Sequence, residues 1–221
     1  MSTSDYSTET LDRIKKLERI KALWVNPFAT RFDITHQIWQ ISSEYPTNIS
    51  IENGDTNPFR TVEDVIINPT ETISFAGRVI LHRSFGKICF ATLSDGTGKI
   101  QILFSRDNCS IIVDGTSHTE LASVSSKWKN IEDPEINSGW PETITAYKFA
   151  EKLIDLGDFI GVKWELFYTH KGELTLFVKE FTFLTKAIRP LPEKFHGMTN
   201  DEERFRKRYL DMAMNEEVRE M

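Results

Sequence analysis

Cysteine is scarce in this chain: Cys89 and Cys109 are the only two among 221 residues, too few and too far apart for a disulfide scaffold or a thiolate zinc site. Both are expected as small buried or half-buried thiols in a reducing compartment, which points to the cytoplasm. Long hydrophobic runs are missing as well. No stretch approaches the roughly 18 to 20 apolar residues of a membrane span, and the polar opening MSTSDYSTETLDR lacks the basic and apolar regions of a signal peptide. Neither secretion nor membrane insertion is expected. The five histidines, His36, His82, His118, His170 and His196, have no metal-ligand spacing and no neighbouring Cys or acidic cluster, so no metal is assigned.

An excess of positive charge is the third thing lacking. The formal charge of −6 argues at first sight against a nucleic-acid partner, since phosphate attraction normally shows as surplus Lys and Arg. The distribution qualifies that. From Arg78 to Arg106 five basic residues face one acid, Asp95, and from Lys186 to Arg208 seven basic residues face four acids. The stretch Glu132 to Glu142 holds four acids and no base, so the acidity is partly segregated and local basic patches survive.

What is present is an ordered series of periodicities. Leu11, Ile14, Leu17, Ile20 and Leu23 recur three apart, which predicts an amphipathic helix over residues 8–23 stopped at Asn26-Pro27, docked by its apolar face and with a basic face able to touch RNA. A short second helix is predicted after Thr35, and residues 46–70 read as loop. Residues 71–105 then alternate. Phe75, Val79 and Leu81 share one face of a first strand, Cys89, Ala91 and Leu93 of a second, and Ile100, Ile102 and Phe104 of a third, with turns at Ser84-Phe85-Gly86 and Gly96-Thr97-Gly98. A helix over residues 144–156 follows. Two further strands carry Val162, Trp164, Leu166 and Tyr168, then Leu174, Leu176 and Val178, across a His170-Lys171-Gly172 turn.

Three strands, a helix and two strands is the order of a five-stranded OB barrel. The expected fold class is therefore mainly β with helical flanks: an OB-fold barrel preceded by N-terminal amphipathic helices and followed by a linker helix. The domains are expected at 1–70 (helical extension and loop), 71–186 (OB-fold) and 187–221 (linker and the start of a further domain). Residues 107–143, rich in Ser, Asn, Asp and Thr, read as a mobile insertion within the OB-fold. Arg189-Pro190-Leu191-Pro192 is a stiff linker, and Thr199 with Glu202 forms a capping box for a terminal helix. Gly96-Thr97-Gly98-Lys99 hints at a phosphate loop, but Leu93 stands where its first glycine would be and Ile100 where its Ser or Thr would be, so a hairpin is expected.

If Cys89, Ala91 and Leu93 point inward, Phe90 points out, and so, out of phase with their neighbours, do Gln101 and Glu173. On the face where OB-folds bind oligonucleotides, Phe90 would stack an unpaired base, Gln101 would offer a donor and an acceptor, and Glu173 would accept from a base N–H such as uracil N3. Each has an ordinary alternative: Phe90 under the insertion, Gln101 as a solvated strand residue, Glu173 as a turn-flanking charge.

The stretch from Arg78 to Phe104 resembles the first three strands of the anticodon-binding domain of class IIb aminoacyl-tRNA synthetases. The segment GDFIGVKWELFYTHKGELTLFVKEFTFLTKAIRPLPEKFHGMTNDEERFRKRYLDMAMNEEVRE resembles the lysyl-tRNA synthetase family specifically, the TKAIRPLPEKFHGMT linker followed by ERFRKRYLD being the discriminating feature. The likeness covers residues 8–28, 71–107 and 145–221. It implies recognition of the central anticodon uridine of the tRNA for lysine, with Phe90 as the stacking aromatic and Gln101, Glu173 and Arg83 as polar partners. Arg83 rests on the resemblance alone, because its strand phase agrees with Val79 and Leu81; a bend near the turn would be needed to bring it outside. The insertion departs from the family pattern. So does the end at Met221, ahead of the class II motifs. No catalytic residue and no cofactor are therefore expected in this chain, ATP and Mg²⁺ belonging with the catalytic domain, and the resemblance implies a homodimer for the full-length family. Two readings compete with the tRNA-binding portion of a lysine–tRNA ligase: a standalone, non-catalytic tRNA-binding module, and a sequence-tolerant single-strand binder that the family-specific linker disfavours.

Overall fold

The computed structural model describes residues 6–29, 31–45, 72–123, 142–169 and 171–190. The chain divides into two compact units, Met1–Ile188 and Arg189–Met221, and the elements below belong to the first. The loop expected at 46–70, the capping box of Thr199 and Glu202 and the terminal helix lie outside the described residues, as do His170 and all but the first two residues of the Arg189 to Pro192 linker.

The fold is mainly β with a few helices. Strands β1 (Ile73–Phe85), β2 (Ile88–Ser94) and β3 (Lys99–Ser105) form an antiparallel meander. Strands β8 (Phe159–Tyr168) and β9 (Leu174–Thr185) form a second antiparallel pair, and β8 lies against β1. β3 pairs with β2 on one side and, in parallel, with β9 on the other through Gln101 to Phe104. The predicted inward residues of β2 and β3 are buried, and they join Phe75, Val79, Leu166, Leu176 and Val178 in one core. Burying such side chains contributes about 1.5 to 3 kcal/mol each, which is why the two-residue period sets the register here.

Turn chemistry supports the meander. Gly86 (φ 67°) turns β1 into β2, a conformation that costs glycine nothing. At the next turn the Asp95 carboxylate accepts the backbone N–H groups of Thr97, Gly98 and Ile38. Burial alone would raise the pKa of Asp95, but the hydrogen bonds from Ile38, Thr97 and Gly98 outweigh it and hold the group below the usual carboxylate range. That carboxylate thereby ties the hairpin to the first turn of α2 (Ile38–Glu44), the short helix expected after Thr35.

Several expectations need correction. Residues 110–122, expected to lie in a mobile insertion, form β4 (Ser110–Val113), β5 (Thr116–His118) and β6 (Glu120–Ala122). β4 extends the sheet beside β9 in parallel, β5 pairs with β4, and β6 pairs with β7 (Thr143–Thr145). Buried Cys109, Ile111, Leu121 and Ile144 pin this segment to the core; a few apolar contacts outweigh the polar composition between them. The expected helix at 144–156 is shorter, α3 (Ala146–Leu153), because the Thr145 hydroxyl caps it by accepting the Lys148 N–H and Thr145 itself ends β7. Trp164 does not share the inward face of Val162 and Leu166. The register shift between Lys163 and Trp164 leaves its extra residue, Lys179, on β9, while Trp164 itself takes a positive φ of 153°. Its ring lies in an outer apolar cluster with Leu103, Phe167 and Phe177, where the Lys179 ammonium stands 3.8 Å from the ring centroid.

Helix α1 (Thr8–Ala22) starts on Ser7, whose hydroxyl accepts the Thr10 N–H. Its buried face differs from the apolar stripe. Ile20 and Leu23 are buried, but Leu11, Ile14 and Leu17 are half-buried while Arg13 and Arg19 are enclosed. The Arg13 guanidinium donates to the carbonyls of Leu156 (2.8 Å) and Ala187 (3.0 Å), and Lys16 donates to Asp155 at 2.7 Å. Part of the basic face that could have met RNA is thus spent on docking the helix.

Candidate nucleic-acid interface

The outer surface of the β1–β2–β3 meander is organised by one irregularity. A β-bulge between Val79 and Leu81 shifts the register of β1 against β2, so that Val79 pairs with Leu93 but Leu81 with Thr92. An extra residue inverts the side-chain phase beyond it. Leu81, expected inside, is 41% exposed; His82 turns inward, and Arg83 comes to lie directly opposite Phe90. The bulge supplies the bend that an outward Arg83 requires.

The remaining positions follow from register. Phe90 pairs with Leu103 and Thr92 with Gln101 on the β2–β3 ladder, which makes Phe90 and Gln101 diagonal neighbours on one face. Gln101 pairs with Thr175 across the parallel β3–β9 contact. Its side chain is fixed at both ends. The Gln101 Nε2 donates to Glu173 Oε2 at 2.7 Å, and the Thr175 hydroxyl donates to Gln101 Oε1 at 2.9 Å. Glu173 is placed by the turn before β9, where its N–H donates to the Thr169 hydroxyl and its carbonyl accepts from the Thr169 N–H. Arg83, Phe90, Gln101 and Glu173 therefore come together on one surface, Arg83 and Glu173 exposed and Phe90 and Gln101 half-buried.

Phe90 is seated. It packs on the outer cluster of Leu103, Phe167 and Phe177 together with Ile88 and Trp164, and Phe85, at the end of β1, meets it edge to face with centroids 6.3 Å apart. The hairpin carrying both rings is held from behind. The Gly86 carbonyl accepts from the Tyr147 hydroxyl (2.9 Å) and from Arg106 Nη2 (3.1 Å), and Ser84 donates to Glu151 at 2.6 Å. Burial raises the pKa of Tyr147, which keeps it a donor.

The arrangement offers a flat apolar surface, a guanidinium, a carboxylate and an amide whose free N–H and carbonyl directions are set. Such a set can hold an unstacked base by one face and by its pairing edge. Two contributors escaped sequence reasoning. Thr175, fully buried, is out of phase with the inward series of Leu174, Leu176 and Val178, and its register opposite Gln101 is visible only in the fold. Tyr147 lies on a helix distant in sequence. Cys89 and Cys109 are free thiols in the core, each pushed up to about 12 by burial, and take no part in this surface. Among the described residues, no three of His, Cys, Asp and Glu gather as a metal site, and no helix is long and apolar enough to cross a membrane.

Residues 73–129 match the family described as OB-fold nucleic acid binding domain. Proteins named lysine–tRNA ligase are similar along essentially the whole chain: that of Chlamydia caviae is 35% identical over 224 residues, covering 100% of this chain and 36% of the relative. That of Trichormus variabilis is 33% identical, covering 94% and 30%, and that of Carboxydothermus hydrogenoformans 33% identical, covering 94% and 32%. The chain thus spans about a third of the length of the curated relatives it matches.

Proposed function

We propose, on the premise that this chain is a homologue of about a third of a lysine–tRNA ligase, that it is the part of such an enzyme that binds the anticodon loop of the tRNA for lysine. The single observation that carries the reading is the Thr175–Gln101–Glu173 chain of hydrogen bonds beside Phe90. Phe90 takes the central uridine by its face. Glu173 accepts the uracil N3–H, the unused N–H of Gln101 donates to a uracil carbonyl, and Arg83 pairs with a phosphate or a base edge. Cytosine has a lone pair at N3, which a carboxylate repels, so the same groups disfavour it.

Several finer points belong to the same reading. The five strands β1, β2, β3, β8 and β9 make a closed OB barrel, which is supported by the pairing of β3 with both β2 and β9. Residues 1–70 serve as an N-terminal extension, 71–186 as the anticodon-binding domain and 187–221 as the lead into a catalytic domain. Lysine activation with ATP and Mg²⁺, and the homodimer, belong to that larger enzyme, which works in the cytoplasm.

The test is affinity for two anticodon stem-loops differing only in U or C at the centre, measured at one stated salt concentration. The U loop is expected to bind tighter by about 1 to 3 kcal/mol. Equal affinity would remove the reading.

A further inference from the structure

Phe85 is 60% exposed, more than any other large apolar side chain among the described residues whose exposure stands out, and it sits at the end of β1 beside the ring of Phe90. A lone exposed Phe is commonplace. This one is neither loosely held nor isolated. Its backbone ends a strand, the next carbonyl is clamped by Tyr147 and Arg106, and the preceding side chain is bonded to Glu151. Holding a large ring in water on a fixed hairpin gains little for folding, whereas it suits a ligand with a flat apolar face.

We propose that Phe85 is a second stacking platform, taking the base of a nucleotide next to the central one in the anticodon loop. The inference rests on the anticodon reading above. The two rings stand at 72° to each other, so bases lying flat on Phe90 and on Phe85 are turned apart by a similar angle and cannot stack on each other. Only a loop whose bases are splayed can use both, which is the form in which single-stranded RNA is read. The strand between the bases passes close to Arg83, opposite Phe90, and Lys87, exposed in the turn; cations there suit the phosphate that links two nucleotides.

The experiment is an affinity matrix at one salt concentration. The proteins are wild type, Phe85→Ala, Phe85→Leu and Phe90→Ala; the RNAs are the intact anticodon stem-loop and three versions abasic at the central nucleotide or at either neighbour. On the intact loop, Phe85→Ala is expected to weaken binding by about 5- to 150-fold, the range of one stacked base. That loss should vanish on one of the loops abasic beside the centre and persist on the loop abasic at the centre, where the Phe90→Ala loss vanishes instead. Phe85→Leu keeps apolar bulk against Phe90 without a flat ring, and is expected to follow Phe85→Ala. The inference is overturned if Phe85→Leu binds as wild type, which would make Phe85 a prop for Phe90, or if the Phe85→Ala loss is the same on all four RNAs. If Phe90→Ala and the central abasic site also leave affinity unchanged, the anticodon reading itself falls.

Discussion

The amide of Gln101 donates a 2.7 Å hydrogen bond to the carboxylate of Glu173, 72 residues away in the chain. One side chain comes from the middle of β3 and the other from the turn before β9, so the pair exists only because those strands run side by side in parallel. Thr175 completes it from beneath by donating to the amide oxygen. With both amide ends assigned, Gln101 presents its remaining N–H outward and cannot turn over without breaking two bonds.

Thr175→Val removes the hydroxyl while keeping the volume. The Gln101 amide is then held by the charge-assisted hydrogen bond to Glu173 alone, about 1.5 to 3 kcal/mol, so the flipped form that offers oxygen where it offered nitrogen becomes easier to reach but stays the minor one. Affinity for the central-U loop is expected to fall only a few-fold, and the preference for U over C to narrow without reversing. Titration of the two loops against the variant measures this. A preference kept at the wild-type ratio would mean that the Thr175 hydroxyl does not set how Gln101 meets the base.

Phe90 both packs and presents. Ala in its place loses the packing on the cluster of Leu103, Phe167 and Phe177 as well as the ring, so stability and binding fall together. Phe90→Leu separates them. It is expected to keep most of the melting temperature while weakening loop binding by about 1 to 3 kcal/mol, the value of a stacked base. Thermal unfolding beside a binding titration checks both, and wild-type affinity in Phe90→Leu would show that apolar contact rather than stacking holds the ligand.

Lys186 is fully enclosed, with Nζ donating to the Leu153 carbonyl and to Asp155 and Asp158 at 2.6 and 2.8 Å. Burial raises the pKa of Asp158 even beside this ammonium, whereas in Asp155 burial is outweighed by Lys186 and Lys16 and the pKa is lowered. Removing one partner of a buried ionic cluster strands the others, a loss of about 3 to 5 kcal/mol. Lys186→Met is therefore expected to destabilise the protein by that order in urea denaturation at neutral pH. Because the stranded carboxylates can take up protons, the gap to wild type should narrow as pH falls; a constant gap would assign the loss to packing.

The alternation of Cys89, Ala91 and Leu93 against Phe90, and of Ile100 and Ile102 against Gln101, was legible because a half-buried strand has a period of two, and one residue out of phase must face the other way. Glu173 was legible for the same reason. Arg83 was not, since strict alternation from Val79 places it inside. A bulge is one extra residue with no obligatory side-chain signature, and nothing in Val79-Ile80-Leu81 announces it. Trp164 was misread where its own backbone takes a positive φ of 153°, opposite an extra residue on β9. Strands β4, β5 and β6 escaped because Cys109, Ile111 and Leu121 are spaced too thinly among polar residues to show a period, yet each of these three side chains finds the core. Resemblance reached Arg83 where periodicity could not, and the partners of Gln101 needed the fold.

His82 shows how the bulge bears on pH. Turned inward, its Nε2 lies 3.0 Å from the Ala150 carbonyl and 3.2 Å from the Cys89 sulfur, next in sequence to Arg83. Burial lowers its pKa from the ordinary 6.5, and the Lys16 charge pushes the same way, while the Ala150 hydrogen bond and the charges of Asp155 and Glu151 oppose without prevailing. The folded protein therefore binds this proton less readily than the unfolded chain. Above 6.5 both states are neutral at this site and it contributes no pH dependence; as pH falls through 6.5 the unfolded chain takes up the proton first, and stability drops. His82→Gln, which keeps a donor near Ala150 and cannot titrate, is expected to lose less stability than wild type between about pH 7.5 and pH 5.5, the two curves being parallel above that window. Urea midpoints across the range measure it. If the curves stay parallel throughout, the imidazole has the same proton affinity in both states and contributes nothing to the pH dependence of stability.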